Sequence, residues 1–128
     1  MAAILDRHDD VVRRFAEACQ SGDIAALRDA LDAEAIAVCD GGGVVPAPPE
    51  PIHGAKDVAR LVAGLLVGQP NAELTIEAVN GRAGLALRRT GRALAVVGVG
   101  AAASKVTAVW IVLNPFKLGG WHRSWPEA

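Results

Sequence analysis

Near residue 70 the apolar residues change their period, and that change dictates a mixed fold. Val58, Leu61, Val62, Leu65 and Leu66 recur at the spacing of one helix face, and Gly68 with Pro70 ends that helix. Four strand-like runs follow, Glu73 to Val79, Leu85 to Arg89, Arg92 to Val99 and Lys105 to Leu113, broken at Asn80-Gly81, Thr90-Gly91 and the small-residue stretch Gly100 to Ser104. Two further helices precede them. Ile4, Leu5, His8, Val11, Val12, Phe15, Ala16 and Cys19 form an apolar stripe, and Ser21-Gly22-Asp23 supplies a left-handed stop and a new N-cap. Ile24, Leu27 and Leu31 mark the buried stripe of the second helix. Ala35 to Cys39 reads as a short strand ending in the turn Asp40-Gly41-Gly42-Gly43. Pro46 to Pro51 contains four prolines, which remove four backbone donors, so this stretch is an extended connector. The order, helix, helix, short strand pair, helix and four-strand meander, predicts an α+β domain with three helices on one face of a strongly curved, mostly antiparallel sheet.

With 128 residues, 52% of them hydrophobic, the chain can build one core, so a single domain is expected over 1–128 with a C-terminal tail at 119–128. A net charge of -1 argues against direct nucleic-acid binding by phosphate neutralisation. No apolar run approaches the roughly 20 residues of a membrane span, and the N-terminus lacks a signal-peptide pattern, so the expected setting is the cytoplasm. The near-zero charge hides an asymmetry. Residues 1–77 carry 6 basic and 13 acidic side chains, whereas 78–128 carry 7 basic and one acidic, Glu127.

Three segments carry a resemblance: Gln20-Ser21-Gly22-Asp23 with Leu27, Asp40-Gly41-Gly42-Gly43, and Asn114-Pro115-Phe116-Lys117-Leu118. Together with the element order, they resemble the NTF2-like, SnoaL-like superfamily. The last two are similar to the DGGG and NPDKL signatures of the SnoaL-like domain at the C-terminus of extracytoplasmic-function (ECF) sigma factors. Val44 stands where that family usually has lysine, and Phe116 where it has aspartate. The resemblance implies an NTF2-like cone and a regulatory role, exercised by contact with the core regions of an ECF sigma factor or RNA polymerase, in cis or in trans. The promoter-reading sigma regions have no counterpart in these residues. The chain is therefore expected to be either a piece of a longer sigma factor or a free-standing relative. The resemblance further implies a cavity open to an apolar small molecule, and a homodimer. On this reading the Asp40 to Gly43 turn and the Asn114 to Leu118 segment, Leu118 included, make the partner contact. Asp40 orders its turn, Gly41, Gly42 and Gly43 allow close packing, Asn114 caps the last strand, Pro115 redirects the chain, and Lys117 offers a charged contact.

The superfamily also holds cyclases and isomerases, so catalysis needs its own test. Enolisation inside such a cone needs a base and a donor for the developing oxyanion. Ala78 to Pro126 contains no Asp or Glu, and the chain has no Tyr. Of Asp40, His53, Glu73 and Glu77, Asp40 is the best candidate base, although an Asp before three glycines more often fixes the turn. Glu73 and Glu77 are expected in solvent opposite Arg88, Arg89 or Arg92, His53 on the surface, and His8 at a helix edge or in the core. Histidines at 8, 53 and 122 and cysteines at 19 and 39 have no metal-ligand spacing, so no metal and no cofactor is expected. Nor does the triple glycine end in the Lys-Ser/Thr of a phosphate-binding loop. Trp110 is expected in the core or a cavity wall. Trp121 to Trp125 is expected to fold back on the sheet, cover a dimer face, or anchor a partner. The leading reading is a non-catalytic regulatory or ligand-binding domain. The alternatives are a small cyclase or isomerase with Asp40 as base on an apolar substrate, and a dimeric binder of an apolar small molecule.

Overall fold

The structure, a computed structural model, describes residues 7–123. Helix α1 spans Arg7–Ser21, α2 Ile24–Ala30 and α3 Ala55–Leu66. Strands β1 (Leu31–Asp40), β2 (Ile52–His53), β3 (Ala72–Val79), β4 (Arg82–Arg89), β5 (Arg92–Ala102) and β6 (Lys105–Val112) make one sheet in the order β2-β1-β6-β5-β4-β3. All neighbours are antiparallel except β1 and β6, which run parallel. The sheet is curved and unclosed, with the three helices on it, as the change of period predicts.

The joint between α1 and α2 follows from three residues. Gly22 takes φ +71°, which a side chain disfavours. The Asp23 carboxylate then accepts from the amides of Ala25 and Ala26 at 3.0 and 3.2 Å, satisfying two free donors of α2. Between helices and sheet lies a close-packed core. Phe15 and Val12 of α1, Leu27 of α2, Val58 and Val62 of α3, and Leu85, Val97, Val109 and Ile111 of the sheet are each less than 2% exposed. Toward the C-terminal ends of α1 and α3 a recess of about 170 Å³ remains between helices and sheet, with Cys19, Leu66, Leu74 and Leu87 in its wall.

Several boundaries differ from the sequence reading. Leu31 is buried as expected, but it opens β1 instead of closing α2; the i+4 spacing from Leu27 suits either placement. Strand β1 is twice as long as Ala35 to Cys39, and its register against β6 shifts between Leu31 and Ile36, a bulge that hides its alternation. Strand β4 starts at Arg82, and β5 runs on to Ala102, so the last hairpin turns at Ala103-Ser104, with Ala103 at φ +55°. Ile4 and Leu5, and Ser124 to Trp125 of the tail, lie outside the described residues.

Residues on the other, outer face of the sheet form a second small cluster. Leu118 packs there on Ala93 and Val96, with Trp121, Val79 and Val112 beside it. Trp121, His122 and Arg123 fold back along the sheet: Arg88 Nε donates to the Trp121 carbonyl at 2.7 Å, the Ala93 amide to His122 Nδ1 at 2.9 Å, and the Arg123 amide to the Gly91 carbonyl at 2.6 Å. Of the three placements expected for the tail, Trp121 to Arg123 take the first. This cover on the outer face, added to the helices on the inner one, explains why β4 and β5 read as nearly continuous apolar runs.

Candidate functional site

At the end of β1 the chain must reverse, and Asp40 makes it do so. Its Oδ1 accepts from the Gly42 amide at 2.9 Å, while the Val44 and Val45 amides donate to the Gly41 carbonyl. Gly41 is needed for space, since a Cβ there would lie 2.1 Å from the Val45 carbonyl oxygen. Gly42 is needed twice over. It sits at φ +63°, and a Cβ would lie 2.3 to 2.5 Å from the side-chain amide of Asn114. Asn114 begins the second segment as the cap of a 3-10 turn, Pro115–Lys117, its Oδ1 accepting from the Phe116 amide at 3.1 Å.

The two segments form one surface. Lys117 Nζ donates to Asp40 Oδ2 at 2.6 Å across 77 positions of sequence, and the Leu113 amide donates to the Asp40 carbonyl at 2.7 Å. Asn114, one of two buried polar residues among those described, fills the space that Gly42 leaves open. What the surface offers outward is apolar: Phe116 is 84% and Val44 59% exposed. Beside it the 39–49 loop bounds an open concavity of about 620 Å³, with Cys39, Asp40 and Pro46 to Pro49 in its wall.

This geometry bears on two expected roles. Lys117, still exposed, also closes the clamp on Asp40. Asp40 is not placed as a base. Along β1, Ala35 and Ala37 are fully buried in the core and Cys39 packs against it, so Val38 and Asp40 face the outer side by strand alternation. The hydrogen bond from Lys117, its charge and the Gly42 amide hold the Asp40 carboxyl below its ordinary range, the wrong direction for a general base near neutrality.

Trp110 is also corrected. It is half exposed, its core-facing neighbours being Val109 and Ile111, and its ring lies across Gly98 and Gly100 on the outer face. With Val38, its cross-strand neighbour, it makes an open apolar strip there. Glu73 is exposed as expected, but Glu77 is largely covered. Its Oε1 accepts from Arg88 Nη2 at 2.9 Å and from Arg123 Nη2 at 3.2 Å, Arg88 Nη1 pairs with Oε2, and Thr75 also donates to Oε2. The Arg88 hydrogen bonds chiefly, against the cost of burial, bring the Glu77 carboxyl down to about 2. Of the three arginines expected opposite it, Arg88 is its partner, and the fold-back segment adds Arg123.

Five of the seven cations in the second half of the chain are engaged internally, while Arg82 and Arg92 are exposed. Arg89 bonds Pro70 and Gln69, Lys105 bonds the Asp29 carbonyl, and Lys117, Arg88 and Arg123 hold carboxylates. His53 is exposed, and His8 is half-buried with Nε2 3.0 Å from the Ala83 carbonyl. Burial raises both thiols, Cys19 to about 12. Among the described residues no group of three His, Cys, Asp or Glu is placed to hold a metal, and no helix is long and apolar enough to cross a membrane.

No protein-family model matches this sequence, and no curated protein does. Solved structures do share its fold. The Mycobacterium tuberculosis extracytoplasmic function sigma factor SigJ superposes with a TM-score of 0.67 at 24% identity, over 89% of this chain and 44% of SigJ. The chain thus spans less than half the length of that sigma factor. An NTF2-like protein of unknown function from Burkholderia xenovorans matches with a TM-score of 0.62 at 20% identity, over 93% of this chain and 92% of that one. An LEH-like epoxide hydrolase of M. tuberculosis matches with a TM-score of 0.53 at 14% identity, over 91% and 89%. The chain has the NTF2-like fold, shared by sigma-factor and enzyme neighbours alike, and fold alone does not choose between them.

Proposed function

We infer that this chain is a regulatory domain that acts by protein contact through the surface joining Asp40–Gly43 to Asn114–Leu118, with the core regions of an ECF sigma factor or its RNA polymerase as partner. One observation carries the reading. Two segments far apart in sequence are locked by an ion pair, a backbone hydrogen bond and the fit of Asn114 over Gly42, and the lock turns Phe116 and Val44 outward. Rigid aromatic anchors on a polar support are what interface hot spots require. The likeness to SigJ supports the same reading at the level of fold. The setting is cytoplasmic, and contact is in cis or in trans.

The rival reading, an isomerase or cyclase acting on an apolar substrate in the cone, needs a base facing the helix-covered interior. The side chains there are Phe15, Val58, Leu85, Ile111 and their neighbours. At their edge stands His8, half-buried, with Nε2 3.0 Å from the Ala83 carbonyl and Nδ1 buried without a partner among the described residues. No donor for an oxyanion is placed beside it among the described contacts, while Arg88 and Asn114 serve the outer cluster and the clamp. These placements favour contact over turnover. Val38 and Trp110 on the outer face are the place for a second copy in a homodimer. The test of the main reading is titration of the full chain against the purified core regions of an ECF sigma factor from the same organism. Binding is expected, and Phe116→Ala should weaken it at least about tenfold, as loss of an aromatic anchor does. Equal affinity of wild type and Phe116→Ala would remove this surface from the role.

A further inference from the structure

The fold-back segment is held differently from the rest of the domain. Its root is firm: Leu118 is 3% exposed and follows the clamped turn. Gly119 and Gly120 come next, in a single 3-10 turn, Gly119–Trp121, and a Cβ at either would meet no atom within 4 Å. Beyond them Trp121 is only partly buried, and His122 and Arg123 are exposed. These three residues are held to the sheet by the hydrogen bonds to Arg88, Ala93 and Gly91 and by the contact of Arg123 with Glu77. They are held to their own root by the Trp121 amide on the Leu118 carbonyl at 3.0 Å and the His122 amide on the Gly119 carbonyl at 3.5 Å.

One of those bonds is conditional on protonation. The register between β4 and β5 shifts after Leu87, so that Arg88 pairs with Ala93 while Leu87 pairs with Ala95. At this bulge the Ala93 amide points away from the ladder and finds His122 Nδ1 instead. An imidazole nitrogen accepts only while it carries no proton; protonated, it would face the amide as one donor facing another. Imidazole is the side chain that changes charge between about pH 5 and 8. The charges around it point the same way. The strands under the segment carry Arg92 on β5, Arg82, Arg88 and Arg89 on β4, and Glu73 and Glu77 on β3, and the segment itself adds Arg123. Arg82 sits at the far end of β4, and Arg88 and Arg123 already share Glu77. A proton on His122 adds positive charge to a set in which arginines outnumber carboxylates.

We propose that Trp121–Arg123 is a proton-released strap, rooted at Leu118, closed over the outer sheet face when His122 is neutral and lifted when it is protonated. Lifting removes Trp121 from the Ala93, Val96 and Val112 cluster, which lies in the same sheet face as the open Val38 and Trp110 strip. The apolar area that the outer face offers is thereby set by pH. The inference stands on the strap geometry alone and requires no partner.

Fluorine NMR of the full chain labelled with 5-fluorotryptophan tests it, because Trp121 reports the strap and Trp110 the sheet beneath. From about pH 8 to about pH 5 the Trp121 resonance should move toward its solvent-exposed position, with the open-to-closed ratio rising about tenfold for the lost acceptor, while Trp110 stays in place. In His122→Gln the pH dependence should vanish. In Glu77→Gln the strap should be more open already at about pH 8. An unmoved Trp121, an equal pH response in His122→Gln, or Trp121 and Trp110 moving together would each overturn the proposal.

Discussion

Replacing Gly42 by alanine should test whether the two halves of the surface are one structural unit. Two costs follow from the geometry. Alanine at φ +63° costs about 1 kcal/mol against glycine. In addition, the new methyl would lie 2.3 Å from Asn114 Cγ, so the amide must leave its buried place and give up its bond to the Phe116 amide. Loss of such a cap costs about 1 kcal/mol, with about 1 kcal/mol more for disturbing a buried polar group. The sum is about 3 kcal/mol, or roughly 10 °C in Tm for a domain of this size. Gly43→Ala is the internal control, since its φ of +73° carries the same backbone cost while the Cβ meets nothing within 4 Å. It should lose only about 1 kcal/mol. In an Asn114→Ala background the Gly42→Ala cost should fall to that of Gly43→Ala, the non-additivity expected of residues in contact. Urea denaturation of the four variants gives these numbers. Equal losses for Gly42→Ala and Gly43→Ala, or full additivity with Asn114→Ala, would refute the argument.

Glu77→Gln should destabilise the domain by about 3 kcal/mol at neutral pH, because it leaves the buried Arg88 with only the exposed Glu73 opposite it as counter-charge. The Glu77 carboxyl is lowered to about 2 in the fold, so its contribution is present above its unfolded value near 4.5 and is lost as pH falls toward 2; wild-type Tm should drop across that window and the variant's should drop less. The proposed homodimer through Val38 and Trp110 predicts that wild type sediments as a dimer and Trp110→Asp as a monomer, and an unchanged sedimentation coefficient would take the outer strip out of self-association. Cys19, with its thiol raised to about 12 and buried, should resist alkylation near pH 8 until the chain is unfolded in urea.

Much of this was legible from spacing because the relevant residues act on their neighbours. Gly22 and Asp23 stop one helix and cap the next; Asp40 and Asn114 each bind an amide two positions on. What local pattern could not supply is which face a residue takes in an all-apolar strand. From Val106 to Val112 every residue but Thr107 is apolar, so nothing in the run says that Trp110 points outward and Val109 inward. Nor does spacing reveal long-range partners. The Asp40–Lys117 clamp and the cover that Trp121 to Arg123 lay over Glu77 join residues many positions apart, and the charge asymmetry between the two halves was their only trace.

The central claim is contact through Phe116 and Val44 on the clamped surface. Calorimetric titration of the full chain into the core regions of an ECF sigma factor from the same organism tests it most directly. The account predicts saturable binding that Phe116→Ala weakens at least about tenfold while Tm is unchanged. Absence of binding, or binding that survives Phe116→Ala and Val44→Asp together, would contradict it.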